Sequence, residues 1–123
     1  MKWLSLAVGG LAGTFARYWL AGAVYRRFGS GFPIGTLAVN LSGCLLIGFL
    51  AALAEAKFVL GPNARLLLMV GFCGAFTTFS TFMLESANLV RDGQTWLAAL
   101  NVVGSVALGF VGFKLGVMLG EIL

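Results

Sequence analysis

Four long apolar stretches occupy most of this 123-residue chain, and they constrain its fold more than any other feature. The first runs from about Leu4 to Val24 and the second from about Pro33 to Ala54. The third spans about Leu66 to Val90 and the fourth about Trp96 to Leu119. Each approaches the ~20 apolar residues that let a helix cross about 30 Å of hydrocarbon. Charged residues make up 10% of the chain and hydrophobic ones 60%, whereas a soluble domain carries about 25% charged residues. The expectation is one all-α integral membrane domain over residues 1–123, with four transmembrane helices (about 4–24, 33–54, 66–90 and 96–119), short loops and no soluble domain. Gly29-Ser30-Gly31, Gly61-Pro62-Asn63 and Asp92-Gly93 supply the turns between them. Trp3, Tyr18, Trp19, Tyr25 and Trp96 fall near span ends, where amphipathic rings prefer the interface.

Lys2 ahead of an apolar run, with Ala21-Gly22-Ala23 beyond it, has the outline of a secretory signal. Arg17, Tyr18 and Trp19 interrupt that outline, so the first stretch reads as a retained span. Cys44 and Cys73 both lie inside spans, as buried small hydrophobes rather than a disulfide framework. The chain has no histidine. Zinc sites, Cys/His nucleophilic pairs and histidine acid–base chemistry are thereby set aside, and an enzyme is not expected.

The net charge of +4 does not point to nucleic acid, because Lys and Arg in a membrane protein first set topology. Four crossings put Lys2, Lys57, Arg65 and Lys114 on one side, and Arg17, Arg26, Arg27 and Arg91 toward the other. Four against four gives almost no bias, so insertion both ways becomes plausible, with a weakly biased single orientation as the plainer alternative. Gly9 and Gly13, and then Gly112, Gly116 and Gly120, repeat at four-residue spacing. Such stripes let backbones approach closely in lipid, whether for packing within the chain or for dimerisation. Four short helices alone could hardly enclose a polar path, which favours an oligomer.

Polar side chains inside spans are costly and by default mark a site. Asn40 sits in "GTLAVNLSG" (35–43) with Thr36 and Ser42, and Asn101 and Ser105 lie one turn apart in the fourth stretch. The densest group is "GFCGAFTTFSTF" (71–82), where Thr77, Thr78, Ser80 and Thr81 are set among phenylalanines. This inventory is rich in donors and lacks a carboxylate at the centre of any span. Amide and hydroxyl protons suit a small anion. The positive ring edges of Phe79 and Phe82, three residues apart, could touch a desolvated anion without a buried charge. The plainer alternative is apolar packing by the rings, with hydroxyls bonded back to their own helix. Gly71, Gly74 and Thr77-Thr78 also lower helix propensity and invite a break near the bilayer midplane. Non-helical backbone there survives only when buried or lining a cavity. In an antiparallel homodimer the two-fold axis lies in the membrane plane, so freed carbonyls of two chains could converge on one cation, and any shared path would occur twice.

Three ordered motifs, "GGLAGTFARY" (9–18), "GTLAVNLSGCLLIG" (35–48) and "GFCGAFTTFSTF" (71–82), resemble those of the Fluc/CrcB fluoride channels, with the match extending over the whole chain. The resemblance implies a dual-topology homodimer in the bacterial inner membrane, with two passive fluoride pores and a central structural Na+. It implies that Phe79 and Phe82 meet the ion with their ring edges, that Asn40 supplies a pore amide, and that Ser80 and Thr81 add hydroxyls. Ser105 is the fourth-helix candidate, although Asn101 stands where a different polar or aromatic side chain is expected. Main-chain carbonyls of Gly74 and Thr77 would hold sodium, with Arg17 and Glu85 as vestibule or structural residues. A proton-coupled small multidrug exporter is the competing transport reading, but it needs a carboxylate in the first span, where this chain has Arg17. A non-transporting assembly subunit would explain the glycines and leave "TTFSTF" without a purpose.

Overall fold

The computed structural model describes residues 1–123, which are helical almost throughout and contain no strand. Helix α1 covers Lys2–Phe28 and stops at Gly29, whose φ of 83° few other residues adopt readily. Helix α2 covers Ile34–Ala51 and continues as a π-helical turn over Ala52–Ala56. The third apolar stretch begins with Pro62 in the first turn, where its missing N–H is no loss. We label residues 62–76 α3: α-helical over Pro62–Arg65, π-helical over Leu66–Cys73, and α-helical again over Gly74–Phe76. The helix then breaks at residues 77–79 and resumes as α4, Ser80–Arg91. A turn through Gly93, at φ 80°, leads into α5, Thr95–Ile122.

Three helical segments, Ile34–Ala56, Pro62–Arg91 and Thr95–Ile122, are long and apolar enough to cross a membrane. At 27 residues α1 has the length, but with Arg17 inside it and Arg26 and Arg27 in its last turn it is less apolar. Large apolar side chains such as Leu11, Phe15, Trp19, Val103 and Phe110 face outward. That exterior suits lipid, which is as apolar as a leucine side chain.

The principal packing partners are α2 with α5 and α1 with α3. Both glycine stripes work inside the chain. Gly9 and Gly13 lie against the backbone of Leu67, Phe72 and Phe76, so closely that a side chain at either would overlap it. Gly116 is pressed in the same way onto the backbone of Leu45 and Phe49, and Gly48 onto Phe113. Of the two roles open to these stripes, close intrachain packing is the one observed. Arg65, counted above only for its charge, donates from Nη2 to the Ala54 carbonyl at 2.8 Å and from Nε to the Leu60 carbonyl at 3.2 Å. It thereby satisfies carbonyls that the end of α2 and the following loop leave open.

Candidate functional site at the helix break

The break between α3 and α4 is made by one residue with extended backbone and held by side-chain hydrogen bonds. Thr77 adopts φ −87° and ψ 160°, which ends the helix. In an unbroken helix the Thr78 N–H would bond the Gly74 carbonyl, and the Thr81 N–H the Thr77 carbonyl. Instead the Thr78 N–H donates to Asn40 Oδ1 at 2.8 Å, and the Thr81 N–H to Thr78 Oγ1 at 3.2 Å. Asn40 Nδ2 completes a reciprocal pair by donating to the Thr78 carbonyl at 3.0 Å. The two carbonyls deprived of these amides are those of Gly74 and Thr77.

This pairing needs α2 close to the break. Gly43 lies one turn beyond Asn40 on the same face, and its missing side chain leaves room for the Thr77 methyl group. Thr77 is itself bonded back, its hydroxyl donating to the Cys73 carbonyl at 2.9 Å. Phe79 and Phe82 meet edge to face, with ring centroids 5.9 Å apart and planes at 60°. Phe82 is 6% exposed and Phe79 is 73% exposed, so one ring is fixed by the protomer and the other projects from it.

A cavity of about 360 Å³ lies at this point, bounded by Asn40, Gly74, Thr77, Phe79, Phe82 and Ser105 among others. Six of the ten residues to which the resemblance assigns a role therefore border one space. Thr81 does not: it faces a second cavity, of about 700 Å³, together with Arg17 and Glu85. Thr78 borders both cavities, so the break is also the partition between them. Ser80 is exposed on the protomer surface and borders neither.

In the larger cavity the Tyr25 hydroxyl donates to Glu85 Oε2 at 3.1 Å and accepts the Thr36 N–H at 3.4 Å. Tyr25, read from sequence as an interfacial ring, thus ties α1 to α4 and covers an open amide at the start of α2. Arg17 Nε and Glu85 Oε1 are buried without a hydrogen-bond partner. Beside the cavity at the break, Ser105 and Phe82 are joined by a chain of hydrogen bonds through Ser86, which sequence reading missed. Ser105 donates to Asn101 Oδ1 at 3.3 Å, Asn101 Nδ2 donates to Ser86 Oγ at 2.9 Å, and Ser86 donates to the Phe82 carbonyl at 2.8 Å. Ser86 could have been noticed as a hydroxyl one turn beyond Phe82; only packing reveals that it faces Asn101. Chemically, the site offers amide N–H groups, uncommitted hydroxyl protons on Thr78 and Thr81, ring edges and freed carbonyls, without an ionised group at the break. The donors and ring edges suit a small dehydrated anion, and freed carbonyl oxygens suit a hard cation.

Residues 4–117 match the family model described as "CrcB-like protein, Camphor Resistance (CrcB)". A protein of Maridesulfovibrio salexigens named "Fluoride-specific ion channel FluC" is 47% identical over 122 residues, covering 99% of this chain and 97% of its own. Proteins with the same name from Chlorobaculum tepidum and Geobacter sulfurreducens are 50% and 49% identical, covering 97% and 94% of this chain and 94% and 93% of theirs.

Proposed function

The chain belongs to the CrcB-like protein family, and from that premise we propose that it is a fluoride-specific ion channel. It is a multi-pass membrane protein, and its cargo crosses the bilayer passively. The observation that carries the site assignment is the gathering of Asn40, Phe79, Phe82 and Ser105 on one cavity beside the helix break. Phe79 and Phe82 present ring edges to the anion, and Asn40, anchored to Thr78 by one N–H, keeps its second N–H for it. Thr81 and Arg17 border the adjoining cavity, through which the ion approaches; Ser80, exposed on the protomer, reaches the path only at a subunit boundary.

The finer reading is an antiparallel homodimer of four-span subunits in the bacterial inner membrane, with two pores. The 73% exposure of Phe79 supports it, since a ring that serves a pore needs covering and a second subunit would cover it. Gly74 has nothing within 4 Å of where a side chain would begin, which leaves its face free for a partner. A structural Na+ fits the donor set, because the amides redirected to Asn40 and Thr78 free the Gly74 and Thr77 carbonyls, and hard cations take oxygen ligands. Those carbonyls would hold the ion, which when bound supplies a fixed positive charge next to the anion path.

Purified protein in liposomes loaded with fluoride tests the reading. Rapid fluoride efflux with little chloride efflux is expected. No efflux, or equal flux of both halides, would refute it.

A further inference from the structure

Asn101 and Ser86 are buried, at 3% and 7% exposure, and neither borders the cavity at the break, yet they join two residues that do. From Ser105 the donors all run one way, through Asn101 and Ser86 to the Phe82 carbonyl, at 3.3, 2.9 and 2.8 Å. A buried amide in apolar surroundings is held to the orientation that satisfies it, because a lost hydrogen bond there is not replaced by water. The Ser86 hydroxyl bonds the carbonyl four residues back, a contact that bends a helix and so influences where the Phe82 ring points. Asn101 Oδ1 takes the only proton of Ser105, and an arriving anion must compete for it.

We propose that Asn101 and Ser86 are positioning residues of the anion path. They lock α4 to α5 so that the Phe82 ring edge and the Ser105 hydroxyl keep a fixed separation across the cavity. A fixed separation favours the smaller halide, since rigidly held groups cannot retreat to admit a larger ion. Asn101 and Ser86 therefore set the discrimination between fluoride and chloride. The inference rests on the fluoride-channel reading.

The test uses the full chain in liposomes, with fluoride and chloride efflux measured side by side and folding followed by size-exclusion profile. Ser86→Ala and Asn101→Leu should each lower the fluoride-to-chloride flux ratio by about tenfold, in keeping with the cost of small misplacements. The double variant should be no worse than either single one, because both interrupt the same chain. Ser86→Thr keeps the hydroxyl and should keep the wild-type ratio. Unchanged ratios in folded variants, losses that multiply in the double variant, or a Ser86→Thr variant as poor as Ser86→Ala would each overturn the inference. If Asn101→Leu does not fold, the Ser86→Ala and Ser86→Thr pair decides alone. A wild-type protein without fluoride efflux would mean that the channel reading fails; a selective wild type with equally selective variants would mean that only this inference fails.

Discussion

Asn40 and Phe79 illustrate two different kinds of dependence on a single side chain. Asn40 is a structural clamp as well as a donor, since both ends of its amide bond to Thr78. Asn40→Ala would leave the Thr78 N–H and carbonyl unpaired, at a cost of about 1–3 kcal/mol. A lower thermal midpoint together with lost fluoride flux is expected, and an unshifted midpoint would show that the clamp is not needed. Phe79, exposed and touching the Phe82 ring, holds little of the protomer together. Phe79→Ile should give normal yields of folded protein while efflux falls by about tenfold, equivalent to ~1.4 kcal/mol at the barrier. Normal efflux in that variant would remove Phe79 from the path.

At the level of elements, the helix break and the close helix pairs are two parts of one construction. The break can hold its position only if α2 approaches within hydrogen-bonding reach, and α2 is itself seated on α5. Gly112 and Gly116 of α5 show how local the requirement is. A side chain at Gly116 would collide with the Leu45 carbonyl, whereas at Gly112 it would meet nothing nearer than the Leu41 carbonyl at 3.6 Å, an ordinary contact. Gly112→Ala should therefore fold and conduct, gaining about 0.5–1 kcal/mol of helix propensity. Gly116→Ala should express poorly or elute as aggregate. Equal behaviour of the two in size-exclusion profiles would contradict the packing described.

For the whole molecule, the antiparallel dimer proposed above rests on the near balance of Lys and Arg that four crossings would give. A protein that must insert both ways to assemble should lose function when its orientation is biased. Two lysines added to the loop around residues 57–61 are expected to hold the chain in one orientation and abolish efflux. Co-expression with a variant biased by lysines next to Gly93 should restore it. Full activity of either biased variant alone would exclude an antiparallel dimer. The exposed Phe79 and the open face at Gly74 belong to the same scale, because a lone protomer leaves both uncovered.

The sequence by itself determined the all-helical membrane class and the residue types at the site, because both follow from short-range properties. Hydropathy over twenty residues defines a span, and Gly71, Gly74 and Thr77 weaken a helix wherever it is placed. The break was legible at Thr77 and Thr78, whereas Gly71 and Gly74, expected to take part in it, remain helical. Only the tertiary structure decided which polar groups meet: Asn40 with Thr78, 38 residues away, and Tyr25 with Glu85, 60 residues away. It also placed Ser86 against Asn101, gave Thr81 to the larger cavity and left Ser80 outside both. Such pairings depend on the rotation of each helix about its axis, and a shift of one residue turns a side chain by about 100°. Periodicity cannot fix that rotation when apolar residues surround a helix on every side, as they do in a lipid-facing bundle. Close contacts at glycines fix it instead, and with it the identity of the polar groups that meet at the helix break.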